Sequence, residues 1–165
     1  MRCDLKDKKL LTARIIMTAL TVAAIGFIFG NSLMSADISS EESSYVMDFI
    51  NRVLCSINSD WSLNEIIVRK LAHFTEFAIL GALLTITVYL YTGKRLKSLV
   101  ISVPIGICIA VSDELIQTAS EGRSCEIRDM LIDSSGVIVA AICVILIITL
   151  ISKRKEKLTE GVKID

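Results

Sequence analysis

Apolar residues in this chain come in four long blocks. Ile15 to Met34 is about twenty residues without a charge, roughly what a helix needs to cross a bilayer core. Leu71 to Tyr91 is a second block, interrupted only by His73 and Glu76. Leu99 to Val111 is short alone, but Lys97 to Gln117 reaches a full span if Asp113 and Glu114 sit near its end. Met130 to Ile151 is the fourth, interrupted by Asp133. The pattern predicts transmembrane helices over residues 15–34, 63–92, 97–118 and 129–151. Pro104 and Gly106 mark where the third could kink, and Gly81 is a place for a close helix contact in the second.

The stretch between the first two blocks has another rhythm. Tyr45, Val46, Phe49, Ile50, Val53, Leu54 and Ile57 repeat at helical spacing among polar residues, so an amphipathic helix is predicted over residues 41–57. Ser39 and Glu42 have capping-box spacing for its start, and Asn58-Ser59-Asp60 ends it. Such a helix lies in the membrane interface or packs on the bundle as a lid, with Trp61 at headgroup level. Ser62 and Glu65 form a second capping box, which starts the next helix near Leu63. The expected fold is all-α: an integral membrane bundle of four transmembrane helices plus one external amphipathic helix, a single domain over residues 1–165.

Composition agrees. With 53% hydrophobic residues and a mean hydropathy of +0.63, 165 residues are too apolar for an ordinary soluble domain. Net charge is zero, but it is unevenly spread. All but Arg52, Arg69, Lys70, Arg123 and Arg128 of the 18 basic residues lie in the N-terminal stretch, the Lys94-Arg95-Leu96-Lys97 hairpin or the C-terminal tail. The positive-inside rule therefore puts both termini and that hairpin in the cytoplasm. The first block exceeds a typical signal-peptide core and Met34-Ser35-Ala36 is a poor cleavage site, so an uncleaved anchor is expected. The five cysteines show no CxxC and no zinc-type clustering. Cys55 and Cys125 share the external side, where free thiols are favoured over a disulfide between them. No nucleic-acid partner is expected.

Three helices then bring polar groups to one membrane depth. Arg69, His73, Glu76 and Leu80 follow the 4-3-4 spacing of one helix face, with Lys70 beside them. Asp113 and Gln117 lie a turn apart with Glu114 adjacent, and Asp129, Asp133, Gly136 and Ala140 form one stripe of the last helix. Arg123 sits in the short link between these two helices. Charge in a membrane helix is costly and marks function or tight pairing. One reading is an ion-pair network that fixes helix register. Another is an outer-leaflet pocket for a polar or anionic ligand, which arginines would hold bidentately. A third is a divalent cation on His73, Glu76 and Asp113, the His-x-x-Glu spacing being a known metal-pair arrangement.

The same stretches carry a resemblance. Arg69-Lys70-Leu71-Ala72-His73-Phe74-Thr75-Glu76-Phe77 with Leu80-Gly81 resembles the R-K-x-A-H-F-x-E-[YF]-x-x-L-G signature of VanZ-like membrane proteins. Asp113-Glu114-Leu115-Ile116-Gln117 is similar to the family's D-E-x-x-Q block. Gly122-Arg123 through Asp129 and Gly136 resembles its G-R-x-x-x-x-x-D-x-x-x-N-x-x-G block, except that Asp133 stands at the Asn. Phe29 to Ser44 resembles the family's serine-rich exit from the first helix. The resemblance implies a multi-pass protein of the bacterial cytoplasmic membrane, associated with low-level resistance to the acylated glycopeptide teicoplanin. It names His73, Glu76, Asp113, Glu114, Gln117, Arg123 and Asp129 as functional candidates. The expected partner is a membrane lipid or lipid-linked envelope molecule, with the antibiotic affected indirectly. The alternative is a metal-dependent membrane hydrolase or transferase acting on an envelope lipid.

Overall fold

The computed structural model describes residues 2–57 and 63–161, without the side chains of residues 2–6, 36–40, 42, 43, 54, 57, 157 and 159–161. It is all-helical among these residues: α1 (Arg2–Ser32), α2 (Ala36–Ile57), α3 (Glu65–Thr92), α4 (Arg95–Gln117) and α5 (Ile127–Gly161). Four segments are long and apolar enough to cross a membrane: Asp7–Ser32, Glu65–Thr92, Arg95–Gln117 and Ile127–Glu156. Large apolar side chains such as Leu20, Phe27, Ile79, Val100 and Leu146 are exposed along them, as expected of surfaces that face lipid.

The helices overrun the apolar blocks. α1 begins well before Ile15, and α5 continues past Ile151 through Lys153 to Glu156 and beyond. Lys, Arg and Glu are strong helix formers, so the backbone stays helical after the hydrophobic pattern stops. α2 likewise starts at Ala36, earlier than residue 41. The side chains of Ser39 and Glu42 lie outside the described residues. So do Ser62 and Trp61. The start of α3 is held instead by Asn64, whose side-chain oxygen accepts the Ile67 N–H at 2.9 Å. At its other end Gly93 adopts φ 64°, a left-handed conformation that glycine tolerates, and its N–H donates to the Tyr89 carbonyl at 2.8 Å. α4 is helical through Pro104.

α3 is the hub. It packs most extensively on α5, and also on α4, α1 and α2. The α3–α5 seam is tight because glycines line it on both sides. A Cβ at Gly81 would stand 2.6 Å from the Val137 carbonyl oxygen, and one at Gly136 would stand 2.5 Å from the Phe74 carbonyl oxygen. Small residues allow such backbone approach where no hydrophobic drive separates helix from lipid. Phe77, Leu80, Leu84, Ala110, Val137 and Ile28 form the core beside this seam.

Polar contacts staple the remaining helices. Thr85 and Ser102 pair at 2.9 Å between α3 and α4, and Thr21 and Thr87 at 3.0 Å between α1 and α3. At the hairpin end Arg14 donates to the Leu90 carbonyl at 2.9 Å, with its guanidinium over the Tyr91 ring. α2 is anchored through Asn51, whose amide donates to the Leu63 carbonyl at 3.0 Å while its oxygen accepts the Leu63 N–H at 2.7 Å. Tyr45 and Phe49 on the apolar stripe of α2 are exposed.

Candidate functional site

The C-terminal ends of α1 and α4 and the N-terminal ends of α3 and α5 meet at one end of the bundle. The polar residues singled out from the sequence gather there. Lys70 of α3 donates to Asp129 of α5 at 2.5 Å, a half-buried ion pair across the seam. One turn further in, His73 faces Asp133, with Nδ1 3.9 Å from Oδ1, an approach too long for a hydrogen bond. Asp133 is fully buried, and both of its carboxylate oxygens lack a hydrogen-bond partner, as does His73 Nδ1.

The buried Asp113 of α4 is differently furnished. Ser32 of α1 donates to its Oδ1 at 2.5 Å and Gln117 to its Oδ2 at 3.1 Å. Glu114 turns to the link, where its Oε2 accepts the Glu126 N–H at 3.0 Å and so ties the start of α5 back to α4. Glu76 accepts from the Asn31 amide at 3.1 Å. Ser120 donates to the Ser32 carbonyl at 2.9 Å, and Arg123 reaches the Asn31 carbonyl at 3.5 Å.

Two cavities open among these groups. One, of about 490 Å³, is lined by Arg69, Lys70, His73, Gln117, Arg123, Arg128, Asp129 and Asp133, with Glu65, Glu126 and apolar Ile66 and Ile132. The other, of about 400 Å³, runs between α1, α2 and α3; it is more apolar, with Phe27, Met34, Val46, Val68 and Ala72 beside Asn31 and Glu76. Arg69, His73 and Arg123 line both. Burial pushes the Arg123 guanidinium below its ordinary range, and the like charge of Arg69 acts in the same direction. Asp113, Glu114 and Glu76 pull against them. The Arg123 Nε is buried without a partner.

Ten residues were expected here, and the structure sorts them. Arg69, Lys70, His73, Gln117, Arg123, Asp129 and Asp133 surround the larger cavity and Glu76 borders the smaller, while Asp113 and Glu114 line neither. The third of the three sequence readings puts a divalent cation on His73, Glu76 and Asp113. The donors that converge are His73, Asp113 and Asp133, with ligand atoms all within 4.8 Å of one another. Glu76 shares a helix face with His73 but is turned to α1, where Asn31 holds it. Cys55 and Cys125 are exposed and not joined by a disulfide. Asn31 and Ser32 were not singled out, although they sit in the serine-rich exit from α1 and complete the site.

A family model described as VanZ/LLP1 matches residues 17–149, which takes in α2, the second and third spans, most of the first and last, and every residue of this cluster. The chain belongs to the VanZ/LLP1 family. No curated protein and no solved structure matches it. In this VanZ/LLP1 chain the three sequence blocks that resemble the family occupy the polar ends of α3, α4 and α5, and they meet around the larger cavity.

Proposed function

We propose that this is a bacterial envelope protein whose polar cavity holds the anionic headgroup of a lipid-like or lipid-linked envelope molecule. On this reading the site faces the outer leaflet of the cytoplasmic membrane, because the basic hairpin and termini lie at the other end. Binding there underlies a low-level glycopeptide resistance of the teicoplanin kind, in keeping with the family's link to that phenotype.

One observation carries the proposal. Arg69 and Arg123 border the same two cavities, repel each other, and leave a buried guanidinium nitrogen unpartnered. A phosphate or carboxylate between them relieves the repulsion and accepts the free N–H, an arrangement suited to bidentate arginine. The adjoining apolar cavity suits the first methylenes of an attached chain.

The test is drug susceptibility in a sensitive Gram-positive host carrying empty vector, wild type or Arg123→Gln, at matched membrane levels. Teicoplanin protection by wild type that disappears in the variant, with vancomycin susceptibility little changed, supports the reading. Equal protection by both proteins removes the cavity from the function. Protection against neither drug by wild type removes resistance from it.

A further inference from the structure

We propose that His73, Asp113 and Asp133 form a binding site for one divalent cation of the Mn²⁺ or Zn²⁺ type, at the floor of the larger cavity. The donor set is mixed: one imidazole and two carboxylates, contributed by α3, α4 and α5, with ligand atoms within 4.8 Å of one another. Metal bonds of about 2.1 Å space neighbouring donors about 3 to 4 Å apart, so a small closing movement completes the contact. Nitrogen with carboxylate oxygen suits Mn²⁺ and Zn²⁺ better than softer ions that prefer sulfur.

The second observation is independent of that spacing. Asp133 is fully buried, yet neither of its oxygens has a hydrogen-bond partner, and the facing His73 Nδ1 is likewise unpartnered. Buried carboxylates ordinarily sit against a cation. Among the described residues no lysine or arginine makes an ion pair with Asp133 or Asp113; Lys70, which lies on the same seam, is taken by Asp129. Asp113 meanwhile is already oriented. Ser32 and Gln117 each donate to one of its oxygens, leaving lone pairs over, which is how carboxylate ligands are commonly held. His73 and Asp133 also line the larger cavity, so the remaining coordination positions open toward it. Water fills them or, insofar as the proposed headgroup reading holds, phosphate oxygens do.

The experiment uses the full-length protein in detergent, stripped with chelator and reloaded with Mn²⁺ or Zn²⁺. Metal content after desalting and the shift in melting temperature on metal addition are both read. Wild type is expected to retain about one equivalent and to melt several degrees higher when loaded. Asp133→Asn, which keeps the shape of the side chain, is expected to lose both responses, as is His73→Ala. Glu76→Gln, next to the site but outside the donor set, is expected to keep them. Wild type that retains no metal and shows no shift overturns the proposal. Equal retention by Asp133→Asn overturns it also. Binding of a short-chain phosphatidic acid to the same stripped protein is measured in parallel. Phosphatidic acid bound without metal uptake ends the cation inference alone. Metal uptake without phosphatidic acid binding supports the cation site while ending the headgroup reading.

Discussion

Gly81 of α3 lies directly against the backbone of Val137 in α5, with no room for a methyl group between them. The Lys70–Asp129 pair and the His73–Asp133 approach lie along the same seam. Gly81→Ala is therefore expected to destabilise the protein by about 1–3 kcal/mol, the usual cost of overpacking where the obstacle is backbone. Gly26→Ala meets nothing within 4 Å and is expected to be neutral or slightly stabilising. Thermal melts of both variants in the same detergent check this; equal melting would show that the seam yields.

Ser32→Ala removes the hydroxyl that donates to buried Asp113. A buried acceptor left short of a bond costs about 1–3 kcal/mol. Melting temperature is expected to fall, and Ser32→Thr to recover part of the loss. A variant as stable as wild type would mean that another donor reaches Asp113.

Lys70 and Asp129 are each about a quarter exposed, at 28%, so their coupling is partly screened. A double-mutant cycle with Lys70→Met and Asp129→Asn is expected to return about 0.5–1 kcal/mol. A coupling near zero would make the pair incidental to the seam.

Asn51→Ala deletes both hydrogen bonds that tie α2 to Leu63. The expected result is faster amide exchange at Leu63 and along α2, with α3, α4 and α5 unchanged beyond Val68. Exchange that rises uniformly across the bundle would instead make α2 part of the global fold.

How much of this was legible beforehand depends on what each feature needs. The four spans were readable because a charge-free stretch such as Ile15 to Met34 leaves a helix few places to be except in lipid. Their ends were not, because Lys153 to Glu156 break the hydrophobic pattern without breaking the helix. The cap at Asn64 was displaced by the more familiar Ser-x-x-Glu spacing two residues earlier. Within the site, periodicity put His73 and Glu76 on one face, and both do enter the cluster. It could not say that α5 covers one side of that face and α1 the other, so the metal reading of the sequence pairs His73 with Glu76 rather than with Asp133. Glu114 bonds to a backbone N–H of the link, a partner with no sequence signature.

The attachment of α1 has a consequence for how anything reaches the acids. Thr21, Ile28 and Ser32 are its buried side chains among the described residues, and most of its length faces outward. Near the polar end it is secured by Asn31 to Glu76 and Ser32 to Asp113. Ser120 and Arg123 add bonds to the Ser32 and Asn31 carbonyls, so beyond the core packing around Ile28 this end of α1 is held to the acid cluster by polar contacts. Reaching the acids from that flank would therefore mean exchanging those hydrogen bonds first, ahead of unpacking apolar side chains.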